Sequence, residues 1–219
     1  MENLRPNKQR AKNAIILIWV VLALEIVNLI SSYFQYDLLQ TVANGGTISE
    51  KMANANDMRE SILAILSTIA YVVSAVTFIM WFRRAYYNLH QKVDYLTHSD
   101  GWAAGGWFVP IVCLYLPYQI MKEIYVETKE LFDRKGLSEK VSYTTNYVGW
   151  WWAFWIITAF IANFILRYTL KNVNTVDEYI TLTVAQMISS VLEIPFAFLA
   201  VKVINDYSKV EPMLNEIND

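Results

Sequence analysis

One cysteine and two histidines in 219 residues leave little from which to build reactive chemistry. Cys113 alone excludes a disulfide within the chain and a cysteine-built metal site. His90 and His98 stand outside any acid/histidine grouping with metal-ligand spacing. His98-Ser99-Asp100 sets three triad residue types side by side, but a working triad draws its members from separate segments. The run reads as a loop turn into Gly101. Seven glycines include no phosphate-cradling loop behind a strand, and the formal net charge of −2 comes without a basic stripe for nucleic acid. No catalytic residue, cofactor or metal is expected, and the chain does not read as an enzyme.

Charge is missing from long stretches as well. Ile62–Phe82 and Val148–Leu166 contain none, and Ala14–Phe34 and Ile180–Val201 contain one each. Each is long enough to cross a hydrocarbon layer of ~30 Å at ~1.5 Å per residue. With 55% hydrophobic and 15% aromatic residues, the expectation is an all-α integral membrane helical bundle. Its four transmembrane helices, about 14–34, 62–82, 148–168 and 180–204, form two hairpins within a single membrane domain, 1–219. A basic arm (Arg5, Lys8, Arg10, Lys12) precedes the first apolar stretch, as in a secretory signal. That stretch is long and lacks a small-residue cleavage site, so it is expected to stay as the first span.

A fifth apolar segment is broken. In Trp102–Tyr125, WAAGGWFVPIVCLYLPYQIMKEIY, the residues Gly105, Gly106, Pro110 and Pro117 leave only Ile111 to Leu116 uninterrupted. A spanning helix needs about 20 consecutive apolar residues, so 102–116 is expected to re-enter or lie at the interface. Gly105 and Gly106 allow a turn or a close backbone approach; Pro110 starts a short helix, and Pro117 starts or kinks the next. Counting lysines and arginines supports this choice. With the segment re-entrant, fourteen fall inside and four outside; with it spanning, the partition is nine and nine. The positive-inside rule selects the first, placing both termini and Lys122–Lys140 in the cytoplasm of a multi-pass protein in the cell membrane, taken as a bacterial inner membrane.

Other patterns fit that frame. Residues 117–134 alternate Ile120, Ile124, Leu131 and Phe132 with Lys122, Glu123, Lys129 and Glu130, as in an amphipathic helix on the inner membrane surface. Trp81-Phe82 and Trp150-Trp151-Trp152 fall where an interfacial aromatic belt is expected. Asn28 and Tyr33 in the first span recur as Asn163 and Tyr168 in the third. Each pair is followed by a capping-box pattern, Thr47 with Glu50 and Thr175 with Glu178. Duplication and the shared needs of short turns explain this pattern equally. The longer first turn is expected to protrude by roughly 10 Å more.

The run Trp81-Phe82-Arg83-Arg84-Ala85-Tyr86-Tyr87-Asn88, then Gly101-Trp102 and GGWFVP with Pro117-Tyr118, resembles the bacterial family called domain of unknown function 4328. Within the pattern, Gly105, Gly106, Trp107, Pro110 and Pro117 are the specific positions. The resemblance implies an integral membrane protein and brings no established activity with it. Cys113 departs from the pattern, where asparagine is common.

Two acids lie inside the spans. Glu25 is 11 residues from Ala14 and Glu193 is 11 from Ile204, so both sit ~16 Å deep. A shared polar layer is expected, with Glu25 and Glu193 meeting partners among Asn28, Tyr71, Asn163, Ser189 and Ser190. Two function classes follow. In the first, a non-catalytic interaction or scaffold protein contacts lipid and holds a protein partner or a second copy of itself. In the second, a small channel or carrier subunit uses the acids for protons, a small cation or a polar ligand. Arg83 and Arg84 could meet anionic lipid head groups, although two arginines at a membrane boundary also serve simply as a topology signal.

Overall fold

The computed structural model describes residues 4–171 and 173–217. Six α-helices follow one another: α1 (Lys8–Ala43), α2 (Glu50–His90), α3 (Trp102–Gly105), α4 (Leu116–Arg134), α5 (Asn146–Thr169) and α6 (Val176–Val210). No strand occurs among the described residues. α1, α2, α5 and α6 are long and apolar enough to cross a membrane, and each contains one of the expected spans. The helices outrun the apolar windows. α2 begins 12 residues before Ile62, about 18 Å of extra helix.

Helix starts follow local chemistry. Glu178 accepts from the backbone N–H of Asn174 (2.9 Å) and Thr175 (3.0 Å), while Thr175 Oγ1 accepts from Glu178 N–H at 3.3 Å. That is the reciprocal box expected there. At α2 the cap is Ser49, whose Oγ accepts from Met52 N–H at 3.3 Å, and not Thr47. Ser49 immediately precedes the first helical residue, so its hydroxyl is the one in reach of the third N–H. Both connections, Ala43 to Glu50 and Thr169 to Val176, contain six residues. The additional length after Asn28 is therefore helix, with α1 running on to Ala43.

Packing divides the chain into two compact units. Unit 1 takes Met1–Ile18, Val73–Ala153 and Phe198–Asp219; unit 2 takes Trp19–Val72 and Phe154–Ala197. Unit 1 contains fourteen of the lysines and arginines, unit 2 only four. Unit 1 has an apolar, largely aromatic core that includes Trp81, Phe82, Tyr86, Tyr125, Trp151 and Tyr207. Rings of this size supply large buried area and favour tilted or edge-on contacts. Phe78 sits 5.6 Å from Trp81, 5.8 Å from Trp107 and 5.8 Å from Trp151, centroid to centroid.

Unit 2 is built the other way round. Ser31, Ser32, Thr158, Thr183 and Ser190 are buried, whereas Ile62, Ile65, Ile69, Val72 and Phe160 face outward. Only 6% of the most apolar window of α2 is buried. An apolar exterior around a polar interior suits a hydrocarbon solvent, where burial of apolar groups brings no hydrophobic gain and polar groups must find each other.

Two expectations are corrected by unit 1. The Trp81-Phe82 pair and Trp151 and Trp152 are core residues, and only Trp150 is exposed. The apolar face of α4, including Ile120, Ile124, Leu131 and Phe132, is buried in the protein, so it is not free to lie on a lipid surface. Both corrections have one cause: a helix pattern gives the apolar face but not what covers it.

Candidate functional site

The broken segment folds as a supported turn. α3 ends at Gly105, and Gly106 lies against Leu116: a Cβ added at Gly106 would meet Leu116 Cδ2 and Trp102 O, each at 2.9 Å. Gly105 has open space at the same position, so close approach explains only Gly106. Trp107 then inserts its ring beside Phe78, Phe82 and Trp152. Beyond it, Ile111 has φ 67° and ψ −48°, and Val112 N–H donates to Pro110 O at 2.8 Å. This is a γ-turn of the rare positive-φ hand. A β-branched residue there carries strain on the order of 1–3 kcal/mol.

The base of the turn holds the strained residue in place. Cys113 N–H donates to Val109 O (3.0 Å), Leu114 N–H to Ile111 O (3.0 Å), and Trp152 Nε1 to Leu114 O (3.2 Å). A short 3-10 turn, Val112–Leu114, follows, and α4 starts at Leu116 with Pro117 in its first turn. Proline fits there because the first helical N–H groups have no intrahelical acceptor. The short helix expected after Pro110 is this 3-10 turn, entered through the γ-turn at Ile111. The tip exposes Phe108 and Ile111, 76% and 75% accessible. Segment 102–116 is therefore no continuous crossing helix.

Arg83 and Arg84 part company in the structure. Arg83 pairs with Asp100 at 3.4 Å, where both groups are exposed enough for the pair to contribute little. It lies against the 91–100 connection, which Glu123 also holds. Glu123 Oε2 accepts from the Tyr86 hydroxyl, and its Oε1 from Thr97 N–H at 2.8 Å. His90 Nε2 lies 2.8 Å from His98 O, so both histidines serve this connection. Arg84 stands instead near Tyr87, with its Cζ 6.0 Å from the ring centroid.

A buried carboxyl in unit 1 lay outside the sequence expectations. Glu211, 5% exposed, opens the 3-10 turn after α6. Asn7 Nδ2 donates to both of its oxygens at 3.0 Å, and Asn88 Nδ2 donates to Oε1 at 2.7 Å. Asn7 also reaches Trp81 O, at 3.2 Å. Asn88 clamps the backbone of Arg5 from both sides, accepting from its N–H at 3.0 Å and donating to its carbonyl at 2.9 Å. These three side chains join both ends of the chain to α2. No local pattern announces such a group, since Asn7 and Glu211 are 204 positions apart.

Tyrosines tie α4 to the same unit. Tyr143 donates to Tyr125 O at 3.2 Å, and the two rings lie 4.4 Å apart. Burial, then the charge of Asp206, pushes the Tyr125 hydroxyl well above the ordinary tyrosine range. Burial raises Tyr143 as well, with Asp206 adding to it.

In unit 2, Glu25 heads a hydrogen-bonded group. Its Oε2 accepts from Ser190 Oγ at 2.7 Å, and its Oε1 from Asn28 Nδ2 at 3.3 Å. Asn28 also donates to Ser67 Oγ at 2.9 Å. α1 and α6 thus meet at the Glu25 carboxyl, and α2 joins the group through Ser67 and Asn28. Glu193 and Tyr71 are close enough to share its electrostatic field, but neither hydrogen-bonds to it. Ser190, not Ser189, supplies the α6 hydroxyl. Asn163 is exposed and takes no part. The expected layer is therefore present around Glu25, Asn28 and Ser190 and does not extend to α5. A second group, centred on Arg59, was missed: Nε donates to Ser31 Oγ (2.7 Å) and Nη2 to Asn56 Oδ1 (2.7 Å), while Gln35 donates to Thr183 Oγ1 at 2.9 Å.

Long apolar helices with outward-facing aliphatic residues, a polar interior in unit 2 and a strapped aromatic core in unit 1 define an α-helical, multi-pass membrane protein. The family described as Domain of unknown function (DUF4328) matches residues 44–209. The chain belongs to that family. No curated protein and no solved structure gives a match.

Proposed function

We propose that this chain is a non-catalytic, lipid-contacting scaffold of the cell membrane, with both termini and the Lys122–Lys140 segment on the cytoplasmic side. The observation that carries the reading is the tip of the broken segment. Phe108 and Ile111 are held outward on a strained turn whose base is fixed by Trp107, Trp152 and the contact of Gly106 with Leu116. A soluble surface gains nothing from such a tip, whereas acyl chains or head-group interfaces accept it. The concentration of fourteen lysines and arginines in unit 1 supports the orientation. Scaffold function suits a protein in which Glu25, Glu123, Glu211, Tyr125 and Tyr143 each bond one segment to another.

The test uses Ile111→Cys in a Cys113→Ser background, carrying an environment-sensitive fluorophore in reconstituted vesicles. Lipid-borne quenchers should reduce its emission and aqueous iodide should not. Iodide quenching without lipid quenching overturns the lipid reading, and protection from both points to a protein partner or a second copy. Ser138→Cys in the same background tests orientation; labelling of intact cells by an impermeant reagent overturns it.

One observation favours the alternative of a small channel or carrier subunit. Glu193 is half-buried beside Glu25 with no hydrogen-bond donor among the described residues. A carboxyl left uncommitted in a span suits proton or cation traffic. Loss of pH-driven flux in Glu193→Gln vesicles would support that alternative; absence of flux from the wild type removes it.

A further inference from the structure

We propose that Arg5, Arg10 and Arg84 form a binding site for the phosphate of an anionic phospholipid. All three belong to unit 1. Tyr87 receives two of them on one ring: Arg5 Cζ is 4.2 Å from its centroid and Arg84 Cζ is 6.0 Å from it. Arg10 Nη1 donates to Met80 O at 3.0 Å, one helical turn before Arg84. The Asn88 clamp on the Arg5 backbone and the Asn7 bond to Trp81 O fix the arm along α2. The arm that carries Arg5 and Arg10 is thus fixed beside Arg84 by neutral bonds of Asn7 and Asn88. The guanidinium groups of Arg5, Arg10 and Arg84 find only a ring and a backbone carbonyl there.

No carboxylate pairs with them directly among the described residues. Burial and then the charges of Arg10 and Arg5 weigh against the Arg84 cation, with Tyr87 and Glu211 offsetting them only in part. Glu211 is the neighbouring carboxylate, but it is buried and its oxygens already accept from Asn7 and Asn88. Its role is to hold the arm. An anion arriving from outside would remove the repulsion, and guanidinium forks match phosphate oxygens better than an ammonium does.

Position in the sequence selects the lipid as the source. Arg10 lies four residues before the apolar stretch at Ala14, and Arg84 two residues after the uncharged stretch ending at Phe82. Both therefore lie at head-group depth, where a basic residue strengthens binding to an anionic surface about fivefold. Tyr87 adds an amphipathic ring suited to the same layer. This site rests on the lipid-contacting reading above, but not on the tip at Ile111.

The experiment measures binding of phosphatidylglycerol and phosphatidylcholine to the full chain in detergent, by native mass spectrometry and thermal shift. Phosphatidylglycerol should bind and raise the melting temperature. The triple variant R5Q/R10Q/R84Q should bind it about a hundredfold more weakly, three losses of about fivefold each. A control neutralising Lys129, Arg134 and Lys135, all exposed on or beside α4, should keep full binding. Should the triple variant fail to fold, R5K/R10K/R84K keeps the charge and should still lose affinity through its missing forks. Equal loss in the control, unchanged binding in both arginine variants, or equal binding of phosphatidylcholine overturns the proposal. Stabilisation by inorganic phosphate that matches phosphatidylglycerol assigns the site to free phosphate and overturns the lipid source. If the Ile111 probe reports water while phosphatidylglycerol binding still depends on these arginines, the tip reading fails and this site stands.

Discussion

The Tyr125 hydroxyl donates to the backbone carbonyl of Val203 at 2.7 Å, joining the amphipathic α4 to the last long helix inside unit 1. Tyr207 stacks on the same ring with centroids 6.2 Å apart. α4 is thereby an internal part of unit 1, and its charged face is what remains for other contacts. The bond is wholly buried, so water cannot replace it when it is lost.

Replacing Tyr125 separates packing from hydrogen bonding. Tyr125→Phe keeps the ring and loses one buried bond, a cost of about 1 kcal/mol. Tyr125→Ala also leaves a cavity and should cost about 3–5 kcal/mol. Thermal unfolding in detergent should place the two variants in that order, with Tyr125→Ala well below Tyr125→Phe.

Alkaline pH should act through the same cluster. Tyr125 and Tyr143 have folded-state pKa values raised above the unfolded value. Such a group contributes stability that is fully present below the unfolded pKa of about 10 and is lost as pH rises through the folded one. Spectroscopic titration of tyrosinate should show a late fraction that appears with unfolding. Tyr125→Phe should reduce that late fraction.

The two adjacent glycines should behave differently. At Gly106 a methyl group overlaps the Trp102 carbonyl, which is backbone and cannot swing away. Gly106→Ala should cost on the order of 1–3 kcal/mol as an overpacked site. Gly105→Ala meets open space and should be neutral or slightly stabilising, since alanine is the better helix former. Equal losses at both positions would show that conformational freedom, and not space, sets the requirement.

Glu25→Gln should be tolerated because the amide oxygen still accepts from Ser190. Glu25→Leu strands the Ser190 hydroxyl and leaves Asn28 only its bond to Ser67, and should cost about 1 kcal/mol in detergent unfolding, in the range for polar contacts between membrane helices. Asn163→Leu, at an exposed position outside the group, should leave stability unchanged or raise it.

Much of this is legible in the sequence. Long apolar runs with at most one charge marked the four long helices, because length and scarcity of charge are properties of each segment alone. Thr175 and Glu178 announced their cap for the same reason, both partners lying within one turn. Pro110 and Pro117 marked a broken segment because missing donors limit the backbone wherever they occur. Glu25 was identifiable as an acid in need of partners, and Asn28, three residues on, as one of them.

What only the tertiary structure decided concerns partners far apart in sequence. Ser190 and Ser189 have the same chemistry, and helix rotation alone picks the first for Glu25. Trp151 and Trp152 look like interface anchors until Phe78 and Trp107 close around them. The face of α4 reads as membrane-bound until Val203 and Tyr207 cover it. Glu211, Asn7 and Asn88 have no pattern in the chain at all. Sequence determined which segments are helical and apolar, because those are short-range energies; the fold decided which faces meet, because burial is a property of pairs.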